Sequence, residues 1–262
     1  MDILHEIAER TKERVEEQKK LFPLEEVKIL AQAGGADGLS FKDALKTDDI
    51  AFICEIKRAS PSKGTISEDF PYIEIAKAYE SAGAAAISVL TEPFYFKGSD
   101  IYLRQVAETV SIPILRKDFT VDEYMIYEAK ALGADAVLLI CSLLDMGLLT
   151  EYINIARDIG LSVLTETHDE SEIEAALTAG ADIIGVNNRN LRTFDVDLGL
   201  SERLRKLVPA DKIFVSESGI KTAEDVARLR KAGADAVLIG ETIMRSADKG
   251  AEISRLRGDP VD

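Results

Sequence analysis

A closed parallel α/β barrel, the (βα)8 or TIM-barrel architecture with an N-terminal helical extension, is the fold that this sequence predicts. Three observations carry the expectation. Residues 81–90, 131–140, 178–186 and 231–240 repeat one pattern: a helix end, a glycine, an alanine and an apolar strand. Their glycines, Gly83, Gly133, Gly180 and Gly233, are 50, 47 and 53 residues apart, which suits a pair of strand–helix units because one βαβ crossover takes roughly 30 residues or more. Four further strand-like runs, 50–57, 112–117, 161–166 and 213–218, alternate with the repeats and bring the strands to eight. The length, 262 residues, matches one such barrel, for which about 250 is typical.

Along the chain, residues 1–49 precede the barrel as one or two helices and a turn, Gly34-Gly35-Ala36-Asp37-Gly38, and residues 50–262 form the barrel. The first 20 residues carry apolar side chains at helical spacing among Lys and Glu, which reads as a solvated amphipathic helix. Ile50-Ala51-Phe52-Ile53-Cys54 is apolar and rich in β-favouring residues, so it reads as a buried strand. Helical patterns follow at 73–81, 122–132, 170–179 and 223–232. Each stops beside a glycine of the repeat, as helix C-termini commonly do. Tyr72, Tyr79, Tyr124 and Tyr127 fall on these helices and read as packing groups. Strands alternating with helices imply a parallel sheet covered on both faces. An open doubly wound sheet is the alternative, but no GxGxxG follows the first strand.

Composition bounds the function. Hydrophobic residues make up 46% and charged residues 30%, ordinary for a globular protein. The net charge of −15, from 47 acids against 32 bases, argues against non-specific binding to nucleic acid or an anionic membrane. An anionic substrate must then be met by locally placed Lys and Arg. Cys54 and Cys141 lie in apolar runs and read as small buried hydrophobes. With no CxxC motif and only His5 and His168 as histidines, no metal site is expected. Residues 1–20 are too charged for a signal peptide, and the longest apolar run, 136–144, is too short to span a bilayer. A reduced, cytoplasmic protein is expected, monomeric or at most a weak homodimer, with a small molecule as its partner.

In this architecture the active site forms at the carboxyl ends of the strands, where the chain gathers its unusual residues. Glu55 and Lys57, two apart, share one face of the first strand, and burying such groups is costly unless they are paired or working. Arg116-Lys117-Asp118 ends the third strand, Glu166-Thr167-His168 the fifth, Asn187-Asn188-Arg189-Asn190 the sixth and Ser216-Glu217-Ser218-Gly219 the seventh. A single lysine at a strand end is more often solvated than catalytic. Convergence of eight strand ends on one pocket is what singles these residues out. Barrels often hold phosphate with the loops after strands 7 and 8, here Glu217-Ser218-Gly219-Ile220 and Ile239-Gly240-Glu241-Thr242, and the loop carrying Ser60 closes the cradle from the first strand. His168 reads as a loop residue rather than an acid–base group, and Lys63 fits substrate steering and solvation equally.

Five stretches in order, Cys54-Glu-Ile-Lys-Arg-Ala-Ser-Pro-Ser-Lys-Gly64, Leu90-Thr-Glu-Pro-Phe-Tyr-Phe-Lys-Gly-Ser99, Ile114-Leu-Arg-Lys-Asp-Phe119, Gly185-Val-Asn-Asn-Arg-Asn-Leu191 and Val215-Ser-Glu-Ser-Gly-Ile220, resemble the indole-3-glycerol-phosphate synthase family of tryptophan biosynthesis. The resemblance covers roughly residues 50–245. It implies a carbon–carbon carboxy-lyase that needs no cofactor. Such an enzyme closes the ring of 1-(2-carboxyphenylamino)-1-deoxyribulose 5-phosphate with loss of carbon dioxide and water. Position by position, it implies that Lys117 is the general acid at the ribulosyl carbonyl. Lys57 serves the substrate carboxylate and, by some readings of the family, the dehydration step, and Glu166 assists dehydration and proton removal. Glu55 holds the lysines electrostatically, while Asn187, Arg189 and Glu217 orient polar groups. Ser60, Ser218, Gly219, Gly240 and Glu241 match phosphate-side positions, Glu241 through its backbone N–H alone. Phe96, Phe119, Leu138 and Leu191 match the apolar wall around the anthranilate ring.

A lysine among cations and apolar walls is expected to have its pKa pulled down toward the working range. The chain departs from the family pattern at Leu164-Thr-Glu-Thr-His168, which puts the Thr165 hydroxyl on the strand face opposite Glu166, and slightly at Gly240-Glu-Thr-Ile-Met244. Residues 31–49 lack the family's usual Arg-Pro pair. A related sugar-phosphate isomerase or aldolase barrel, with Lys117 forming a Schiff base, is the alternative. A catalytically silent phosphosugar-binding barrel is another, though it need not keep Lys57, Lys117 and Glu166 together.

Overall fold

Eight parallel strands close on themselves, each hydrogen-bonded to its neighbours in sequence. They are β1 (Ala51–Ile56), β2 (Ala86–Leu90), β3 (Ile114–Lys117), β4 (Ala136–Ile140), β5 (Ser162–Thr167), β6 (Ile183–Asn187), β7 (Ile213–Glu217) and β8 (Ala236–Ile239). The computed structural model describes residues 3–33, 40–190 and 192–259; the turn expected at Gly34–Gly38 and Leu191 lie outside them. The seam between first and last strands pairs Ala51 with Ala236 and Ile53 with Leu238, so the sheet has no free edge. β3 starts at Ile114, later than the apolar run suggests, because Pro113 has no N–H to give a neighbour.

Helices α1 (Ile3–Leu21), α2 (Leu24–Ala33) and α3 (Phe41–Ala44) precede β1. The barrel helices are α4 (Tyr72–Ser81), α5 (Asp100–Ala107), α6 (Glu123–Ala131), α7 (Met146–Asp158), α8 (Glu170–Thr178), α9 (Gly199–Leu204), α10 (Ala223–Ala232), α11 (Glu241–Arg245) and α12 (Lys249–Arg257). Side-chain caps start most of them, including Asp122 on α6, Asp169 on α8 and the reciprocal Thr222–Asp225 box on α10. All four repeat glycines have positive φ, which explains the pattern seen in the sequence. Among the described residues no helix is long and apolar enough to cross a membrane.

The period-2 alternation of each strand divides the core. Ala51, Ile53, Leu115, Leu164, Val215 and Leu238 fill the barrel interior, whereas Phe52, Cys54 and Ile56 face the helical layer. Tyr79 and Tyr124 are buried in that layer, and Tyr72 stacks on Tyr102 with ring centroids 4.4 Å apart. Cys54 and Cys141 are both free and buried.

Three residues at the end of β3 show how the strand is fixed. Arg116 points outward and is fully buried. Its guanidinium donates to Asp100 (2.8 Å), Glu128 (2.7 Å), the Met125 carbonyl (2.9 Å) and Thr91 (3.2 Å). Asp118, also buried, accepts from Thr91 (2.6 Å) and from Arg14 of α1 (2.9 Å). Lys117, between them, faces the barrel mouth.

The N-terminal helices are held to this same corner. Lys19 reaches Asp122 (2.7 Å), Gln18 reaches Glu128 (3.2 Å), and Val15 and Val27 pack with Tyr124 and Met125. Glu6 accepts from the Tyr95 hydroxyl (2.6 Å). The amphipathic helix expected to be simply solvated therefore buries Leu4, Ile7, Ala8, Thr11 and Val15 against the barrel. Arg116→Ala is expected to lower the unfolding free energy by about 3–5 kcal/mol, the usual cost of removing one partner from a buried ion pair. Urea denaturation should show a lower midpoint at unchanged slope.

Candidate active site

A cavity of about 600 Å³ opens at the carboxyl ends of the strands. Its floor is made of strand termini: Glu55 and Lys57 at β1, Lys117 at β3, Leu138 on β4, Glu166 on β5, Asn187 on β6 and Glu217 on β7. Loops supply Ser60, Phe96, Phe119, Arg189, Ser218, Gly219, Gly240 and Glu241. Every residue to which the family resemblance gave a role therefore lines one cavity, apart from Leu191, which lies outside the described residues. Arg116 and Asn188, polar members of the same strand-end runs, point away from it.

Lys117 is the centre of the charge arrangement. Its ammonium lies 2.9 Å from Glu217 Oε2 and 3.2 Å from Glu166 Oε2. Asn187 Nδ2 donates to the other oxygen of Glu166 (3.1 Å). Across the pocket Lys57 Nζ donates to Glu55 Oε1 at 2.5 Å. Burial disfavours the Lys117 ammonium, but Glu217, Glu166 and Glu55 outweigh it and hold the group well above its ordinary value. The downward shift expected from the sequence is thus reversed, because three carboxylates rather than cations surround this lysine.

The two carboxylates on Lys117 are driven apart. Burial pushes Glu217 up to about 7, with Lys117 opposing and Glu166 reinforcing the shift. For Glu166 burial acts in the same upward direction, but Lys117, His168 and Asn187 prevail and hold it below the usual carboxylate range. Two acids sharing one lysine with pKa values pushed apart are suited to different duties.

Each loop group is positioned by something specific. Glu92 accepts the backbone N–H groups of Phe94, Tyr95 and Phe96 (2.9, 2.7 and 2.9 Å), which sets the Phe96 ring 5.9 Å from that of Phe119. Pro61-Ser62-Lys63 forms the tip of a short hairpin pairing Ala59–Ser60 with Gly64–Thr65, and Lys97 Nζ ties that hairpin to the β2 loop through Thr65 (2.8 Å). Asn188 donates to Ser216 Oγ (2.9 Å) and to the Glu217 and Ser218 carbonyls (2.9 and 3.2 Å), joining the β6 loop to β7. Ser218, at φ +68°, and Gly219, at φ +84°, turn the chain sharply after β7. Arg245 (3.1 Å) and Lys63 (3.9 Å) engage the Glu241 carboxylate.

Sequence comparison decides what family carries this geometry. A family model described as indole-3-glycerol phosphate synthase matches residues 4–256. The chain belongs to the indole-3-glycerol phosphate synthase family. It is 61% identical to the indole-3-glycerol phosphate synthase of Ruminiclostridium cellulolyticum, covering 98% of this chain and 99% of that one. It is 54% identical to that of Endomicrobium trichonymphae, covering 97% and 99%. Among solved structures, 3-hexulose-6-phosphate synthase superposes with a TM-score of 0.63 at 18% identity, covering 80% of this chain and 99% of that one. A tryptophan synthase α-subunit from Pyrococcus furiosus gives 0.60 at 15%, covering 80% and 98%. At those identities the likeness is one of fold.

The cavity also has lining residues in this synthase-family chain that sequence reasoning passed over. Ile3, Leu4 and Ile7 of α1 reach it, as do Lys221, Phe194, Val196 and Arg245. The helical spacing of 3, 4 and 7 signals an apolar face, but nothing in the spacing says which surface it covers. Gly185 carries no such signal either, and Gly240, read as a phosphate-side turn, has a second constraint. A Cβ on Gly185 would overlap Glu217 Oε1, and one on Gly240 would overlap Glu55 Oε1, so each missing side chain makes room for a carboxylate. In Gly185→Ala the group that must give way is the flexible end of Glu217, so folding should be retained. Steady-state assays should find activity down on the order of 10²-fold, the effect of an ångström-scale displacement in a site, with the thermal midpoint little changed.

Proposed function

We propose that this chain catalyses ring closure of 1-(2-carboxyphenylamino)-1-deoxyribulose 5-phosphate to indole-3-glycerol phosphate, with loss of carbon dioxide and water. The observation that carries the reading is the Lys117 ammonium shared between Glu166 and Glu217, beside an apolar wall of Phe96, Phe119 and Leu138. The wall suits the anthranilate ring. Lys57 suits its carboxylate, and the backbone of Ser218–Gly219 and Gly240–Glu241, with the Ser60 hydroxyl, suits the phosphate.

In the first step the ring carbon bearing the carboxylate attacks the ribulosyl carbonyl. The oxygen takes a proton from Lys117 as the C–C bond forms. An alkoxide developing there is a stronger base than an amine, so transfer from the ammonium runs downhill even though carboxylates hold its proton. Carbon dioxide then leaves the electron-deficient ring, and Lys57 releases it into an apolar surrounding. Finally the new hydroxyl departs as water with a proton from the Lys57 ammonium, while Glu166 takes the adjacent carbon-bound proton and the indole becomes aromatic. The carboxylates that keep Lys117 an ammonium oppose the free amine that Schiff-base chemistry needs, which disfavours the aldolase reading.

Adding the carboxyphenylamino-deoxyribulose phosphate to the folded protein should generate indole fluorescence; its absence would reject the proposal. Lys117→Ala should abolish turnover while ligand affinity falls only modestly, as binding and rate measurements can separate. Glu217 provides a signed pH test. Its ionisation near pH 7 adds negative charge to a pocket for an anion, so KM should rise as pH increases through that range. Glu217→Gln should remove that step.

A further inference from the structure

We propose that His168, oriented by Glu172, is a positioning residue for Glu166: as an imidazolium it directs Nε2–H at Glu166 Oε1 and holds that carboxylate in place as an ionised base. The inference rests on Glu166 as the base. His168 is the first residue beyond β5, and Glu172 lies one turn on, in α8. Glu172 Oε2 accepts the His168 backbone N–H (2.7 Å) and lies 3.1 Å from Nδ1. A carboxylate has no proton to give, so Nδ1 is the donor. Nε2 then lies 3.4 Å from Glu166 Oε1, buried and without a hydrogen-bond partner. In the neutral ring a lone pair faces a carboxylate oxygen there. The contact becomes attractive when one proton lies between the two atoms.

The surroundings favour that proton. Glu166 on β5, Glu172 and Asp169 at the start of α8, and Glu217 on β7 all act on the ring, with Lys117 beyond Glu166. Burial draws the imidazole down, but Glu172, Glu166 and Glu217 outweigh it and hold it above its usual value. The neighbouring Cys141 thiol is pushed up to about 12 by burial, so it stays neutral. The imidazolium lies between two carboxylates, with Nδ1–H towards Glu172 and Nε2–H towards Glu166; it orients Glu166 and itself transfers no proton.

The chain has only two histidines, His5 and His168, so NMR can follow each imidazole, with His168→Gln identifying the resonance. His168 should titrate above the ordinary value of about 6.5, and Glu166→Gln should lower that titration. His168→Gln should reduce kcat on the order of 10-fold, as loss of an orienting partner commonly does, with KM held. It should also move the acid limb of kcat/KM to higher pH, because Glu166 loses a cation that keeps it ionised. Unchanged kinetics, a titration insensitive to Glu166→Gln, or a fall in kcat without movement of the limb would each overturn the proposal. Glu172→Gln, which keeps the ring but removes its charged partner, should move both observables in the same direction and serves if His168→Gln fails to fold. An active Glu166→Gln enzyme rejects Glu166 as the base. An inactive one beside an unaffected His168→Gln rejects the His168 role alone.

Discussion

A buried ammonium is tolerable only where carboxylates neutralise it, and Lys117 sits between Glu166 and Glu217 at the end of a barrel otherwise filled with hydrocarbon. Taking each ion out of water costs several kcal/mol that only good geometry returns. Much of the surrounding structure serves that geometry. Gly185 leaves space for Glu217, Asn187 fixes one oxygen of Glu166, and Gly240 leaves space for Glu55. On either side of Lys117, Arg116 and Asp118 turn outward into a second hydrogen-bonded network. The lysine therefore rises from a strand end anchored in the helical layer, which leaves its side chain little freedom to leave the carboxylates.

The fold was legible because its signals are local. Glycines with positive φ and apolar runs of strand length recur at the spacing of two strand–helix units, and both can be read without knowing any neighbour. The site was legible as a set because closing the barrel brings all eight strand ends together. Signs and partners were not legible. Lys117 was expected among cations although Glu55, Glu166 and Glu217 fall at the same strand ends, because the sequence does not say which of those side chains reach the ammonium; their convergence on it reverses the shift. Asn187 and Asn188 look equivalent on paper, yet pleating sends one into the pocket and the other into the wall of β7. Gly185 reads as one strand glycine among several until Glu217 is seen beside it.

The N-terminal extension illustrates the same limit and connects to the chemistry. Spacing reveals an apolar stripe on α1, but its docking site depends on complementary groups far along the chain. Arg14 meets Asp118, next to Lys117, while Ile3, Leu4 and Ile7 of the same helix line the pocket. One rigid element thus touches both the strand end that carries Lys117 and the wall of the cavity. Displacing α1 should disturb proton transfer and binding together.

Charge distribution explains how so acidic a chain can receive a phosphorylated small molecule. The whole sequence carries 47 acids against 32 bases, yet the cavity lining is balanced: Lys57, Lys63, Lys117, Arg189, Lys221 and Arg245 against Glu55, Asp118, Glu166, Asp195, Glu217 and Glu241. The arrangement matters more than the tally. Glu55, Glu166 and Glu217 lie at strand ends, already engaged by Lys57 and Lys117, whereas Lys63 and Lys221 come from loops at the cavity rim and Arg245 from the end of α11. An anion approaching the rim meets these cations before the strand-end carboxylates, in a cleft that focuses their field. Glu217 refines the balance: because burial pushes it up to about 7, it can hold a proton when an anion arrives and so withdraw one negative charge from the pocket.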